Sequence, residues 1–406
     1  MEWIEADDRT RPFCVVFGPA GSGKTSLLWY IVRTCTDKGY DTARFFFRRG
    51  MAERNSAAHL VTTIAFQIAL SIPELQPYIA KAIALDSTIL SGSPRRCIDN
   101  LLVQPMRQLW SDYPSFIVCP RVILIDALDE CGTPDILFQL ISTLSSALLS
   151  NPLPYFCVFS SRPEAHIVKA FSSDPTQHLI SRQIDIGMDF DAMADIRIFF
   201  RFRMGEIRHR HPFRELIPAN WPSESDLNTL IRKSAGHFIY AATAMKYIDS
   251  PIHNPHDRLK DLLGFSSTKP GASPYAELDI LYHNLLSSID NSAALREILG
   301  IHLLLSSSQS WIPETLKYGD SDFFKRHFDS LDADTVLAPL AAVLRYQNRT
   351  ITFYHQSFVD FLFDKAGSLG FSIDLTRWQE WVVGQLVRHF YEGNCTPRVV
   401  KCLTIV

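Results

Sequence analysis

Near the start of the sequence, Gly18-Pro19-Ala20-Gly21-Ser22-Gly23-Lys24-Thr25 has the spacing G-x-x-x-x-G-K-[ST]. A triphosphate needs several backbone N–H groups aimed at one point, and glycines let a loop wrap that closely. A helix opening near Gly23 adds its positive N-terminal end. Lys24 would neutralise the β- and γ-phosphates, and is expected to be exposed until they arrive. The Thr25 hydroxyl would ligate Mg²⁺. With Ser26, these residues form the candidate nucleotide-binding set. They address phosphates and metal rather than the base, so ATP/ADP and GTP are both admitted. The bland alternative is a Gly-rich turn with an incidental lysine. A strand running into the loop and an amphipathic helix leaving it argue against that.

A second group is acidic. Val122-Ile123-Leu124-Ile125 reads as a buried strand that ends in Asp126, followed by Asp129 and Glu130. Asp126 is placed to hold Mg²⁺ through water. Asp129 or Glu130 would lie past the strand tip, where an attacking water could be polarised, or would simply cap the next helix. A third strand, Phe156 to Ser160, runs into Ser161-Arg162-Pro163-Glu164. Arg162 could report on the γ-phosphate or be an ordinary surface arginine.

These groups need a scaffold. From residue 13 to about 186, short apolar runs alternate with helical patterns: 13–17, 43–47, 122–125 and 155–159, with 183–186 as a fifth candidate. Near-continuous apolar strands separated by helices imply a parallel sheet covered on both faces, an α/β P-loop fold. Phe45, Phe46 and Phe47 read as a central strand rather than a stacking platform, and Trp29 as core. After Gly187 the strand runs stop. Asp189 and Ser223 are candidate helix caps, and Ser273-Pro274 opens a striped helix. Residues 343–346 and 350–354 flank Gln347-Asn348-Arg349 as a hairpin. The expected divisions are a lead (1–12), the P-loop core (13–186), a helical domain (187–264), a linker (265–274), a winged-helix domain (275–366) and a C-terminal helical segment (367–406).

Of the 406 residues, 47% are hydrophobic and 20% charged, so there is ample material for cores, and the length suits two or three domains. The formal charge of −3 lacks the basic excess of most nucleic-acid binders, so nucleic acid is not an expected partner. The start is acidic and has no apolar segment of signal-peptide type, and no stretch approaches 18 consecutive apolar residues. No membrane association is expected. The eight cysteines have no metal-type spacing, and read as reduced thiols of a cytoplasmic protein. Arg197, Arg201, Arg203, Arg208, Arg210 and Arg214, with His209 and His211, form a basic cluster. It reads first as a solvated or acid-pairing face, and second as an anion-binding surface.

The segments GPAGSGKTSLL, FFFRR, VILIDALDE, VFSSRPE, SAGHFIYAATAMKYI, LDILYHNLL and FYHQSFVDFL occur in the order seen in the NACHT-type STAND nucleoside triphosphatases. The sequence resembles their fungal branch, of nephrocystin-3-like N-terminal type, over about residues 13–365. The resemblance implies a P-loop module followed by a helical domain and a winged helix that clamp the nucleotide. Exchange or hydrolysis would then switch a closed state to an open one that self-associates or joins related STAND proteins. It assigns Lys24 and Thr25 to phosphate and Mg²⁺, Asp126 to the metal-holding aspartate, Asp129 and Glu130 to an extra acidic pair, and Arg162 to the first sensor. His355 resembles the winged-helix histidine that touches a bound diphosphate; from the residues alone it reads as a core or capping histidine. At Gly236-His237-Phe238 this sequence has His where relatives have Leu. With the P-loop beginning at Gly18, no effector module is expected before it, and the C-terminal segment reads as truncated.

The leading expectation is a slow signalling NTPase whose output is assembly. The alternatives are a P-loop kinase, a DNA-handling ATPase of the origin-recognition kind, and a nucleotide-binding scaffold that regulates full-length relatives.

Overall fold

The computed structural model describes residues 2–5, 10–48, 54–115, 121–150, 155–186, 192–265, 275–306, 327–368 and 370–391. The expected cap Asp189, the linker positions 266–274, and Cys119, Cys395 and Cys402 lie outside them. The chain divides into two compact units, residues 1–190 and 191–406.

The first unit is built on a five-stranded sheet. Its strands are β1 (Phe13–Phe17), β2 (Asp41–Phe46), β3 (Arg121–Asp126), β4 (Tyr155–Ser161) and β5 (Ile180–Asp185). All pairings are parallel and the order is β2-β3-β4-β1-β5. Side chains alternate across a pleat, and here the alternation sorts residues between two cores. Phe13, Val15, Phe17, Ile123, Ile125, Cys157 and Phe159 enter one cluster, with helix Ala57–Ser71 and helix Pro134–Ser150. Cys14, Val16, Val122, Leu124, Phe156 and Val158 enter the other, against Leu28, Val32 and Cys35 of helix Lys24–Asp37. Both faces are covered, as the unbroken apolar runs require.

Two expectations are corrected here. β2 is an edge strand, not a central one. Its exposed backbone is satisfied from the side by Gln67, whose amide accepts from Arg44 N (2.8 Å) and donates to Arg44 O (3.0 Å). A helix that covers an edge in this way lets the strand carry the apolar sequence of a central one. Trp29 is not core: it is 49% exposed, stacked on Phe46 at 4.8 Å, with the Arg44 guanidinium 5.2 Å from its ring centroid.

Among its described residues, the second unit is helical apart from the hairpin β6 (Leu344–Gln347) and β7 (Thr350–Phe353). Asn348 and Arg349 both have positive φ, at 50° and 60°, as a tight two-residue hairpin turn demands. Helix Glu224–Ser234 begins as expected, with Ser223 Oγ accepting from Asp226 N. One hydrophobic cluster runs from Ile196 in helix Ala192–Arg210 to Val382 in helix Leu375–Tyr391. Gly300, buried in helix Ser292–Ser306, lies against the Trp378 indole: a Cβ there would meet the ring at 2.3 Å.

Candidate functional site

In parallel α/β sheets, ligand sites form beyond the carboxyl ends of the strands, where loops converge. The register places three such ends together. Val16 pairs with Ser160, Phe17 with Ser161, and Ile125 with Phe159. β4 therefore stands between the strand entering the loop and the strand ending at Asp126. Gly18 N continues the ladder by donating to Ser161 O at 3.3 Å.

The loop then turns away. Gly21 and Gly23 adopt φ of 73° and 94°, a region open to glycine and costly for other residues. Gly18 is needed for space: a Cβ would come within 2.6 Å of Ser22 Oγ. That hydroxyl is buried and is one of the side-chain polar atoms without a hydrogen-bond partner among the described residues. Gly23 caps the helix Lys24–Asp37 with no side-chain hydrogen bond to its first N–H groups. A buried hydroxyl without a partner among the described residues, a close-wrapped glycine turn and a glycine-capped helix end are the donor set that fits a phosphate group.

Lys24 differs from its expected exposed state. It is half-buried, and its ammonium donates to Gly18 O (2.7 Å) and Pro19 O (2.8 Å). Burial pulls its pKa below the usual lysine range; Asp129 opposes this, and Arg162 adds to it. Thr25 and Ser26 lie on the exposed side of the first helical turn.

Thr25 Oγ1 donates to Asp126 Oδ2 at 2.7 Å, across 101 positions of sequence. The other carboxylate oxygen of Asp126 accepts from Ser160 Oγ, which itself accepts from Ala127 N at 3.2 Å. Asp126 is 3% exposed, and burial raises its pKa against the hydrogen bonds from Ser160 and Thr25 and the charge of Lys24. A hydroxyl and a carboxylate at this separation, at the mouth of a phosphate-shaped loop, are the oxygen donors that suit Mg²⁺, which keeps several waters and shares its ligands with phosphate. Ser160 escaped the sequence reading. Its signal was a polar residue closing an otherwise apolar strand.

Ala127 has a φ of 58°, which turns the chain out of β3 into a short 3-10 turn, Leu128–Glu130. Asp129 is thereby aimed back at β4. Its Oδ1 accepts from Arg162 N (3.1 Å) and Ser161 Oγ (3.3 Å), and its Oδ2 faces Arg162 Nε at 3.1 Å. The pair is well enclosed: the Asp129 side chain is only 6% exposed, which makes it more than a surface ion pair. At the start of helix Pro134–Ser150, Ile136 N donates to Thr133 Oγ1 at 3.5 Å. Glu130 is half-buried on the same turn.

His355 belongs to the second unit. It caps helix Gln356–Phe363, with Nδ1 accepting from Ser357 N at 3.0 Å. Its neighbour Tyr354 lies under the ammonium of Lys246. His237 likewise precedes a helix, Phe238–Ile248, and its ring lies 4.7 Å from that of Tyr275 with the planes tilted by 34°. The basic cluster is largely tied up within the unit. Arg197 and Arg201 meet Glu224, Arg203 meets Glu206 and Asp249, Arg210 meets Asp249, and Arg208 donates to the carbonyls of Trp221 and Ala219.

The sheet and its loop define the fold of a P-loop nucleoside triphosphatase. Residues 1–162 match the family model for nephrocystin 3, N-terminal. No curated protein matches the chain. Among solved structures, the chain is similar to the Aeropyrum pernix ORC1 protein in complex with DNA, at 11% identity over 86% of this chain and 85% of that one, with a TM-score of 0.41. It is also similar to the Aeropyrum pernix ORC2 protein in ADPNP–ADP complexes (12% identity, 94% and 91% covered, TM-score 0.38) and to Cdc6p from Pyrobaculum aerophilum (13%, 86% and 85%, TM-score 0.36). No described helix is long and apolar enough to cross a membrane.

Proposed function

We propose that this chain is a nucleotide-dependent switch that binds ATP, or GTP, with Mg²⁺ and hydrolyses it slowly. One observation carries the reading: the Thr25–Asp126 contact of 2.7 Å, made between the first turn of the loop helix and the end of β3. Two residues so far apart in sequence meet where phosphate and metal would be held together.

The geometry supports the following roles. Lys24 exchanges its two loop carbonyls for phosphate oxygens. Thr25 and Asp126 hold Mg²⁺, which when bound offsets phosphate charge. Glu130 polarises the attacking water. Asp129 positions Arg162, which senses the γ-phosphate; this shifts Asp129 from water activation to support. Residues 187–264 and 275–366 act as the helical and winged-helix parts of a STAND-type switch of nephrocystin-3-like kind. His355 contacts the diphosphate in the closed state, and the open state self-associates or pairs with related chains. A nucleic-acid partner is not part of the proposal, because the arginines of helix Ala192–Arg210 are committed to protein carboxylates and carbonyls.

The test is to extract and identify any nucleotide that copurifies, then to titrate ATP, ADP and GTP with and without Mg²⁺ by calorimetry. Binding that depends on Mg²⁺, with a larger assembly in ATP than in ADP by light scattering, is the expected result. Absence of binding for all three nucleotides in folded protein would end the proposal.

A further inference from the structure

The two carboxylate oxygens of Asp126 are held by different elements. Oδ2 accepts from Thr25 Oγ1 at 2.7 Å, in the first turn of the loop helix, and Oδ1 accepts from Ser160 Oγ, inside β4. Ser160 is fully buried, whereas Thr25 lies on the exposed side of its helix. Pairing of β3 with β4 ends at Ile125 and Phe159, and beyond it the Ser160 hydroxyl takes over from the backbone ladder by accepting from Ala127 N at 3.2 Å. On the other side Asp126 O accepts from Phe47 N at 3.1 Å, so the peptide unit joining Asp126 to Ala127 is gripped from both neighbouring strands.

Chemistry fixes the directions. A backbone N–H only donates, and an ionised carboxylate only accepts. Ser160 therefore offers a lone pair to Ala127 N and its one proton to Asp126 Oδ1. That bond lies within the sheet, away from the loop, so Asp126 presents its other oxygen, on the Thr25 side, to a metal or to the water of one. The number of oxygens on offer bears on the choice of ion. Mg²⁺ keeps a small octahedron and much of its water. Ca²⁺ takes more oxygens at longer distances and accepts carboxylates through both oxygens at once.

We infer that Ser160 is a specificity-determining residue for the metal: by holding Asp126 Oδ1 in the sheet it limits the carboxylate to one oxygen and so favours Mg²⁺ over Ca²⁺. Ser160 acts through Asp126, as a positioning residue. The inference rests on the reading of Thr25 and Asp126 as the metal-holding pair.

The test uses the full chain and a non-hydrolysable ATP analogue, so that turnover plays no part. Calorimetry gives the Kd of the analogue in Mg²⁺ and in Ca²⁺, and the ratio of the two is the readout. Wild type should prefer Mg²⁺. Ser160→Ala should lower that preference about tenfold, the scale of one hydrogen bond to a charged group. Ser160→Thr and Ser160→Val have nearly the same shape, so any strain from the added methyl falls on both. The Thr variant should keep the wild-type ratio, and the Val variant should follow Ala. The inference is overturned by a wild type that needs a divalent ion but does not prefer Mg²⁺, by an unchanged ratio in Ser160→Ala, or by a Thr variant that behaves like Val. A fall in melting temperature does not rescue it, because a purely structural role lowers stability without changing the choice of ion. A wild type that binds the analogue equally well without any divalent ion refutes the metal-holding reading itself, and the inference with it.

Discussion

Lys24→Ala is the most demanding perturbation of the phosphate loop. In the structure the ammonium already has two acceptors, Gly18 O and Pro19 O, at 2.7 and 2.8 Å. Each charge-assisted bond is worth about 1.5–3 kcal/mol. Against them stands the burial that depresses the Lys24 pKa, so the free protein should lose little, within about 1 kcal/mol. Nucleotide binding is different. The ammonium trades neutral carbonyls for phosphate oxygens carrying full charge, and Ala can offer neither charge nor donor. The net loss is the difference between those two sets of contacts, about 3 kcal/mol, or roughly a hundredfold in Kd. Calorimetric titration of Mg²⁺-ATP into wild type and variant reads the affinity, and thermal melting without nucleotide reads the stability. A folded Lys24→Ala protein that binds Mg²⁺-ATP within about threefold of wild type would refute the assignment of the loop. A large drop in the melting temperature of the free protein would instead refute the balance of bonds against burial.

Four further outcomes follow from the geometry. Asp126→Asn should abolish the Mg²⁺ dependence of nucleotide binding. In wild type, that dependence should fade as pH falls through the raised pKa of Asp126, because the metal needs the ionised carboxylate; titrations across the acidic range check the sign. Glu130→Gln should keep ATP affinity and slow single-turnover hydrolysis by about a hundredfold, and equal rates would remove Glu130 from the chemistry. Asp279, pushed up to about 6 by burial and by Asp364, favours the fold when protonated; its contribution is full below the ordinary aspartate range and is lost as pH rises through about 6. Asp279 is only half-buried, so solvent screens part of this effect: Asp279→Asn should therefore raise stability by about 1 kcal/mol near pH 8 and by little near pH 4, measured by melting at both. Gly300→Ala drives a methyl into the Trp378 ring and should cost about 1–3 kcal/mol, seen as a lower Tm and altered tryptophan fluorescence as helix Leu375–Tyr391 shifts.

The sequence by itself determined what depends on local spacing. The octapeptide at Gly18, the apolar runs of β1, β3 and β4, the cap at Ser223 and the hairpin at 344–353 were all legible, because backbone sterics, pleat alternation and capping act within a few residues. Strand order was not. Apolar runs say that a strand is buried, not which neighbour buries it, and so β2 reads as central although it lies at the edge, where Gln67 meets its backbone. The same blindness put Trp29 in the core: helical periodicity marks faces, but only packing decides which face meets the sheet. For the candidate site, the residue types could be picked from the sequence while their partners could not. That Asp126 would be gripped by Thr25 and Ser160, that Asp129 would pair with Arg162, and that Lys24 would rest on its own loop are consequences of how three strand ends come into register. Register is set by the pairing energy of the whole sheet rather than by any one segment, and only the tertiary structure decides it.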